Sequence, residues 1–582
     1  MDVVLLIGVA ALFVIAMSDR LAEWAGLVAP VVLLVLGTGV ATIPAVPALH
    51  ADPDIILQLI LPGFLYASAV RMPLLEFRRN LGPIAALSVL LVIATAVAVG
   101  LVLHAIVPGL GLAAAIALGA IVSPTDAVAT SITRKAGVSQ RVISVLEGEG
   151  LVNDASALVV MSSALVATTG QVTAGQVVGS FFWAVISAVV VGLIVGNGVL
   201  WLRARSSSVT TDMLMSLATP YAAFLLVEHI GGSGLIAAVV CGLVEGYRST
   251  SLLTPSQRSA NRTTWAEISL VLESSVFLLM GLQLPAALVD DEQAPLGRIL
   301  VLSVIVIAVV LAARACVVAL MLVVARRHAA RRARRTSTVR TLMGAHHRDR
   351  PERPVTRRQR RRAAWLALRM ERALADIDYY TQERLGAREG ATIVWAGMRG
   401  AVTVAAAQTL PTDLPGRPVM ILIAFFVASI SLVAQGGSLG AFVRLVRPAQ
   451  AARASAQERA ELREIMHEAA ARVPPPAELR EAGTGRGATL PDADENDESA
   501  LVTRAENLLG RARTGRLSSQ DRHLAGLAGE HALRAVKAQR ETLLRVNQTG
   551  KYSPAGLTAM LRLLDADQTS LEQRMQMYRE EQ

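Results

Sequence analysis

The sequence predicts an all-α polytopic membrane protein. Over 582 residues it is 53% hydrophobic, with a mean hydropathy of +0.48, too apolar for an ordinary soluble chain. Apolar runs fill most of residues 1–447, and each is long enough to cross ~30 Å of hydrocarbon as a helix. Nothing in the chain repeats the alternating pattern of an outer-membrane barrel.

Taken in order, the expected spans are 3–17, 22–43, 54–70, 81–105, 109–133, 142–169, 175–202, 212–230, 233–247, 263–289, 297–325, 388–411 and 417–446. That makes about 13 transmembrane helices; the first and ninth are short, and twelve stays open. Loop charges test the count independently. One set of connections carries Arg20, Arg78 and Arg79, Arg134, Lys135 and Arg141, Arg203 and Arg205, and Arg248, Arg258 and Arg262. The alternate set holds Asp52 and Asp54, Glu228 and Asp290-Asp291-Glu292, with only Arg298 and Arg417 intruding. Basic loops stay cytoplasmic, so the N-terminus is expected outside and the C-terminus inside, in a cell (inner or plasma) membrane. Met1-Asp2-Val3 lacks a basic stretch ahead of the apolar run and reads as a first membrane helix rather than a cleaved signal.

The net charge of +10 follows the same topology and requires no nucleic acid partner. Cys241 and Cys316 lie inside apolar spans, so no disulfide framework is expected. Residues 1–447 form the expected membrane domain, interrupted by a basic cytoplasmic insert at 326–388. Its first part, with clusters such as Arg331-Arg332-Ala333-Arg334-Arg335, reads as disordered or bound to anionic lipid headgroups, with a plain solvated face or topology anchor as the simpler reading, and residues 360–384 have helical spacing. From 448 to 582 the composition turns soluble. Residues 455–472 have a helical pattern, 473–500 read as a linker, and 501–582 are helical with a turn at Asn547-Gln548-Thr549-Gly550. This is a helical cytoplasmic tail with a possible regulatory role.

Three polar islands interrupt the apolar spans: Ser123-Pro124-Thr125-Asp126, the stretch from Gly148 to Asp154, and Gly397-Met398-Arg399-Gly400. A charge at mid-membrane costs about 2.5–3.5 kcal/mol, so such residues mark ion pathways more often than packing. Glu149 and Asn153 are four residues apart and share a helix face, with Asp154 about 100° further round. Carboxylate, amide and carbonyl oxygens suit a hard monovalent cation, and a desolvated carboxylate also takes up a proton more readily. A site that holds one or the other meets the requirement of an exchanger; a polar cluster that only packs helices is the alternative. Pro124 removes a backbone donor and opens the helix beside Thr125 and Asp126, freeing carbonyls that are tolerated where they line a cavity. Arg399 needs a buried counter-charge, for which Glu149 is the first choice, and Arg314 has Glu273 as a candidate partner.

Gly231-Gly232-Ser233-Gly234 with His229 superficially resembles a serine-protease motif. Its serine sits at a span end, with no later membrane histidine as base, so helix start and close packing is the ordinary reading. No G-x-x-x-x-G-K-[ST] sequence occurs, which favours an ion gradient over ATP as driving force. No enzymatic activity and no cofactor are expected.

The islands in order resemble the Na+/H+ exchanger family of cation:proton antiporters. The resemblance rests on Leu61-Pro62-Gly63, Arg71, Phe77-Arg78-Arg79-Asn80, Ser123 to Ala129 and Leu146-Glu147-Gly148-Glu149. Leu151-Val152-Asn153-Asp154, Ser233-Gly234, the run Phe277 to Pro285 and Gly397 to Val402 complete it. It covers residues 1–447. It implies a thirteen-helix homodimer with inverted repeats, in which the fifth and twelfth spans unwind where they cross. It further implies Asp154 as the ion- and proton-binding aspartate, Asn153 beside it, Thr125 and Asp126 as unwound-helix ligands of the monovalent cation, and Glu149 with Arg399 as a bracing pair. The Asn-Asp pair implies electroneutral exchange of Na+, K+ or Li+ for H+, with roles in pH and sodium homeostasis. Three features depart from the family pattern: Ala67 stands where an acidic residue is common, Gly150 where serine is common, and the insert at 326–388 is unusual. A channel-like or non-transporting ion or pH sensor, signalling through the tail, is the rival expectation.

Overall fold

In a computed structural model, the described residues are 2–43, 54–168, 174–206, 208–289, 296–346, 379, 385–450, 456–479, 519–549 and 552–580. Among them the structure is helical, apart from one isolated antiparallel bridge between Val138 and Gln450. The chain divides into two compact units, Met1–Val339 with Glu383–Ala451, and Arg340–Gln382 with Ala452–Gln582.

The first unit begins with α1 (Asp2–Ala25) and α2 (Ala29–Ala41). Gly26, at φ 65°, ends α1 in the left-handed region, and the two helices meet at 109°. The expected second span, from 22, therefore starts several residues too early. Next come α3 (Ile55–Arg71), the short α4 (Leu74–Arg79) and α5 (Leu81–Ile106). The expected fifth span is two helices, α6 (Leu112–Ile121) and α7 (Val128–Lys135), with Pro124 in the extended link. Long helices follow: α8 (Gln140–Thr168), α9 (Ala174–Arg203), α10 (Val209–Glu228), α11 (Gly234–Leu252), α12 (Pro255–Val289) and α13 (Leu296–His346). The twelfth expected span is also split, into α14 (Ala387–Trp395) and α15 (Ala401–Gln408), before α16 (Arg417–Val446) closes the unit. Among the described residues, eight helices are long and apolar enough to cross a membrane, or nine when α1 and α2 count as one span. Interrupted and short helices fall outside that length test, so the count of thirteen stays an expectation.

Two apolar groupings organise these helices. One joins Val99 and Leu103 of α5, Leu118 of α6, Met161 of α8, Val306 of α13, Ala406 of α15 and Ile423 of α16. On the other side α12 packs along α2, and α11 against α3, α9 and α10. Glycines set both contacts. A Cβ on Gly37 would lie 2.6 Å from Leu278 O, and one on Gly242 would lie 2.6 Å from Tyr66 O. Large residues there would force these helices apart.

That second side contains a charged network the sequence reading did not anticipate. Arg203 donates to both oxygens of Asp212 at 2.8 and 3.1 Å and pairs with Glu245 at 2.7 Å. Glu245 also accepts from Tyr66 and from Asn261 Nδ2 at 2.6 Å. All of these side chains are buried, and each charge has partners. Their positions near span ends resembled ordinary topology charges, which concealed the contact. Ser233 caps α11, accepting from Ile236 N, and Gly232 packs on Ser187 and Val227, in accord with the helix-start reading.

In the second unit, α17 (Ala456–Ala471), α18 (Ser519–Thr549) and α19 (Pro554–Glu580) pack around Leu462, Val536, Leu543, Leu557, Met560 and Leu564. Arg540 pairs with Asp565, and Ser553 N donates to Glu458 Oε1 at 2.6 Å. Of the turn expected at 547–550, residues 547–549 still belong to α18 and residue 550 lies outside the described residues. The helical pattern at 360–384, most of the 326–388 insert and residues 480–500 of the linker lie outside the described residues.

Candidate ion-binding site at the helix crossing

The two interrupted helices cross at their breaks. Asp126 N donates to Met398 O at 2.9 Å, and Arg399 Nε donates to Val122 O at 2.9 Å. Each helix ends where local chemistry stops it. Pro124 cannot donate to the helical ladder, and Gly397 and Gly400 flank the second break. A Cβ on Gly400 would collide with the Asp126 carboxylate, and one on Gly397 with the Arg314 guanidinium. The glycines are therefore what permits the close approach of the chains.

Helix α8 runs beside the crossing and presents Glu149, Asn153 and Asp154, all buried. Glu149 is gripped by Arg314, from Nη1 to Oε1 and from Nη2 to Oε2 at 2.9 Å, with both side chains 0% exposed. Thr125 Oγ1 donates to Glu149 Oε1 at 3.1 Å and accepts from Asn153 Nδ2 at 2.8 Å. A continuous polar chain thus runs from Arg314 through Glu149 and Thr125 to Asn153. Asp126 Oδ1 accepts from Val128 N at 3.0 Å, at the start of α7. Asp126 Oδ2, Asn153 Oδ1 and Asp154 Oδ1 are buried without a hydrogen-bond partner among the described residues.

The structure corrects both expected ion pairs. Glu149 pairs with Arg314, not Arg399, because α13 carries Arg314 across the site while its Nε donates to Ile393 O at 2.9 Å. Arg399 instead folds onto carbonyls left free by the breaks, Val122 O and Gly397 O. Arg314 is consequently not the partner of Glu273. Arg71 bonds Ala67 O at 3.2 Å and Ser269 Oγ at 3.1 Å, one turn from Glu273 on α12.

Further contributors went unnoticed in the sequence. Ser88, in a π-helical turn of α5, donates to Glu149 O at 3.3 Å. Ser431 accepts from Arg399 N at 2.8 Å and donates to Gln435 Oε1 at 2.6 Å in the π-helical turn of α16. Such wide turns often mark functional positions, but single serines and glutamines in apolar runs gave little signal. Among the described residues, no group of three or more His, Cys, Asp or Glu is arranged to hold a metal ion. The oxygens at the crossing are carboxylate, hydroxyl and amide.

Comparison with known proteins identifies the family. The family model for the sodium/hydrogen exchanger transmembrane region matches residues 8–445. The chain belongs to the sodium/hydrogen exchanger family. An uncharacterized Na+/H+ exchanger of Mycobacterium tuberculosis is 29% identical over 428 residues, covering 72% of this chain and 70% of that protein. A sodium, potassium, lithium and rubidium/H+ antiporter of Bacillus subtilis is 32% identical over 266 residues, 44% of this chain and 40% of that one. The sodium proton antiporter MjNhaP1 of Methanocaldococcus jannaschii shares the fold at a TM-score of 0.54 and 15% identity, over 77% of this exchanger and 99% of that chain. As a member of the family, the exchanger is a multi-pass membrane cation/proton antiporter.

Proposed function

We propose that this exchanger moves Na+, K+ or Li+ against H+ by alternating access, with Asp154 as the carboxylate where cation and proton compete. Asn153, Thr125 and Asp126 assist at the same site. The observation that carries this reading is the meeting of two broken helices at Asp126, with a buried oxygen on each of Asp126, Asn153 and Asp154 that has no hydrogen-bond partner among the described residues. The ion is cargo, and the chemistry is reversible ligation and protonation.

A charge count supports one-for-one exchange. With all groups ionised, the crossing holds two cations, Arg314 and Arg399, and three carboxylates, Glu149, Asp126 and Asp154, an excess of one negative charge. One monovalent cation or one proton neutralises it. The loaded site can then traverse the membrane interior, whereas the empty, charged site meets a solvation penalty of several kcal/mol. That difference couples the two fluxes. Glu149 with Arg314 braces α8 against α13 and α14, in place of a ligand role.

Around this core the reading places the N-terminus outside and the C-terminus in the cytoplasm of a cell membrane, in a homodimer. Residues 1–447 serve as transport domain and 448–582 as a regulatory helical tail, with the basic insert near anionic lipid. A channel-like sensor is disfavoured by family membership. Dye-reported proton movement in everted vesicles, on adding Na+, K+ or Li+, tests the proposal. Asp154→Asn should abolish exchange with the protein still monodisperse; undiminished exchange would sink the assignment.

A further inference from the structure

One polar contact belongs neither to the crossing nor to the buried Arg203 network. Gln408 Nε2, at the C-terminal end of α15, donates to Gln283 Oε1 on α12 at 2.7 Å. Gln283 is buried, and Gln408 Oε1 is buried without a partner among the described residues. Gln283 lies in the Phe277–Pro285 run, which the ion site does not use.

Both backbones are held firmly, by different neighbours. Two residues before Gln283, Gly281 packs so tightly on α2 that a Cβ there would collide with Leu34 O. At the other end, Arg417 donates to Gln408 O at 3.0 Å and to Leu410 O at 2.8 Å, fastening the last turn of α15. Ala406, Ala407 and Leu410 pack into the apolar grouping of α5, α6, α8, α13 and α16. The two glutamine side chains thus join α12, packed on α2, to α15, the helix that leads away from the break at Gly400. Gln408 stands eight residues beyond Gly400, ~12 Å along the helix from the crossing.

We propose that the Gln283–Gln408 hydrogen bond is a latch that closes the ion site from the side of the α15–α16 turn, and that it breaks and re-forms once per transport cycle. The inference rests on the alternating-access reading. If the site-bearing helices shift against α12 by more than about an ångström, a hydrogen bond of this geometry is lost. It therefore holds only one of the two access states. In the expected topology that state is closed to the outside.

The test uses the full chain with Cys241→Ala and Cys316→Ala, to which Gln283→Cys and Gln408→Cys are added. Bridging the new thiols with a short bifunctional maleimide, or oxidising them to a disulfide, should arrest cation-driven proton movement at least tenfold. Reducing the disulfide should restore it. Failure to crosslink, or full exchange in the crosslinked protein, would overturn the latch. The uncrosslinked variant and its cysteine-free parent provide the reference. Exchange in both, with arrest only on crosslinking, supports the latch, whereas no exchange in either overturns the antiport reading beneath it. A second variant, Gln408→Met, keeps the side-chain length but removes the donor. It should shift the apparent half-saturation for cation about threefold, the measured scale of one interhelical hydrogen bond in a membrane. Kinetics identical to the parent would count against the proposal.

Discussion

Replacing Arg314 by methionine removes the guanidinium that grips both oxygens of Glu149, leaving a carboxylate 0% exposed without its counter-charge. Two unit charges ~4 Å apart at an effective dielectric near 20 attract by about 4 kcal/mol, and breaking a buried pair by removing one partner typically costs about 3–5 kcal/mol. Against a total stability of about 5–15 kcal/mol, that loss is severe. Arg314→Met should therefore lower the melting temperature in detergent by several degrees and reduce the folded yield. Glu149→Met alone should do the same, because Arg314 is then the stranded charge. The double variant should recover most of the loss, since a well-packed apolar substitute for an ion pair is often neutral. A double-mutant cycle should return about 3 kcal/mol or more of coupling for Glu149 with Arg314, and well under half of that for Glu149 with Arg399. A larger coupling for the second pair, or none for the first, would refute the assignment of the brace.

Other expectations follow from the same geometry. Gly400→Ala should displace the Asp126 carboxylate and cut exchange at least tenfold in vesicles, with little change in melting temperature, because the crowding falls on a site group. Raising cation concentration tenfold above its half-saturation should move the midpoint of the pH–rate profile downward by about one unit, since more protons are then needed to displace the cation; a midpoint indifferent to cation would exclude a shared site. In the tail, Leu543→Ala should cost about 2–5 kcal/mol and expose residues 519–580 to limited proteolysis, as Leu543 is fully buried among α17, α18 and α19.

What could be read from the sequence depended on how local its cause was. Pro124 opens its own helix, and an apolar run of twenty residues spans a membrane through its own length, so both were visible along the chain. The placement of Asp126, Asn153 and Asp154 at one crossing likewise followed from residues that are expensive in lipid. The partner of Glu149 was not local. Arg314 and Arg399 are both single cations in apolar spans, and only the course of α13 past Gly397 decides between them. In the sequence Arg399 calls for a carboxylate, because carbonyl oxygens able to accept its hydrogen bonds are not displayed there. The Arg203–Asp212–Glu245 network was hidden for a different reason, since charges near span ends are what topology alone would supply.

The use of those carbonyls has a consequence for the transported ion. Breaks in membrane helices offer unpaired oxygens that can strip a cation of its hydration, but here Val122 O and Gly397 O are already engaged by Arg399. The side-chain oxygens proposed as ligands, those of Thr125, Asp126, Asn153 and Asp154, are few, and Gly150 adds none. A cation held by so few groups keeps part of its water shell, and a partly hydrated ion is poorly measured by the size of its site. The exchanger is therefore expected to discriminate weakly among Li+, Na+ and K+. Half-saturation values within about tenfold of one another, ~1.4 kcal/mol in binding free energy, would bear this out, and a sharp preference for one ion would show that the site completes its own coordination shell.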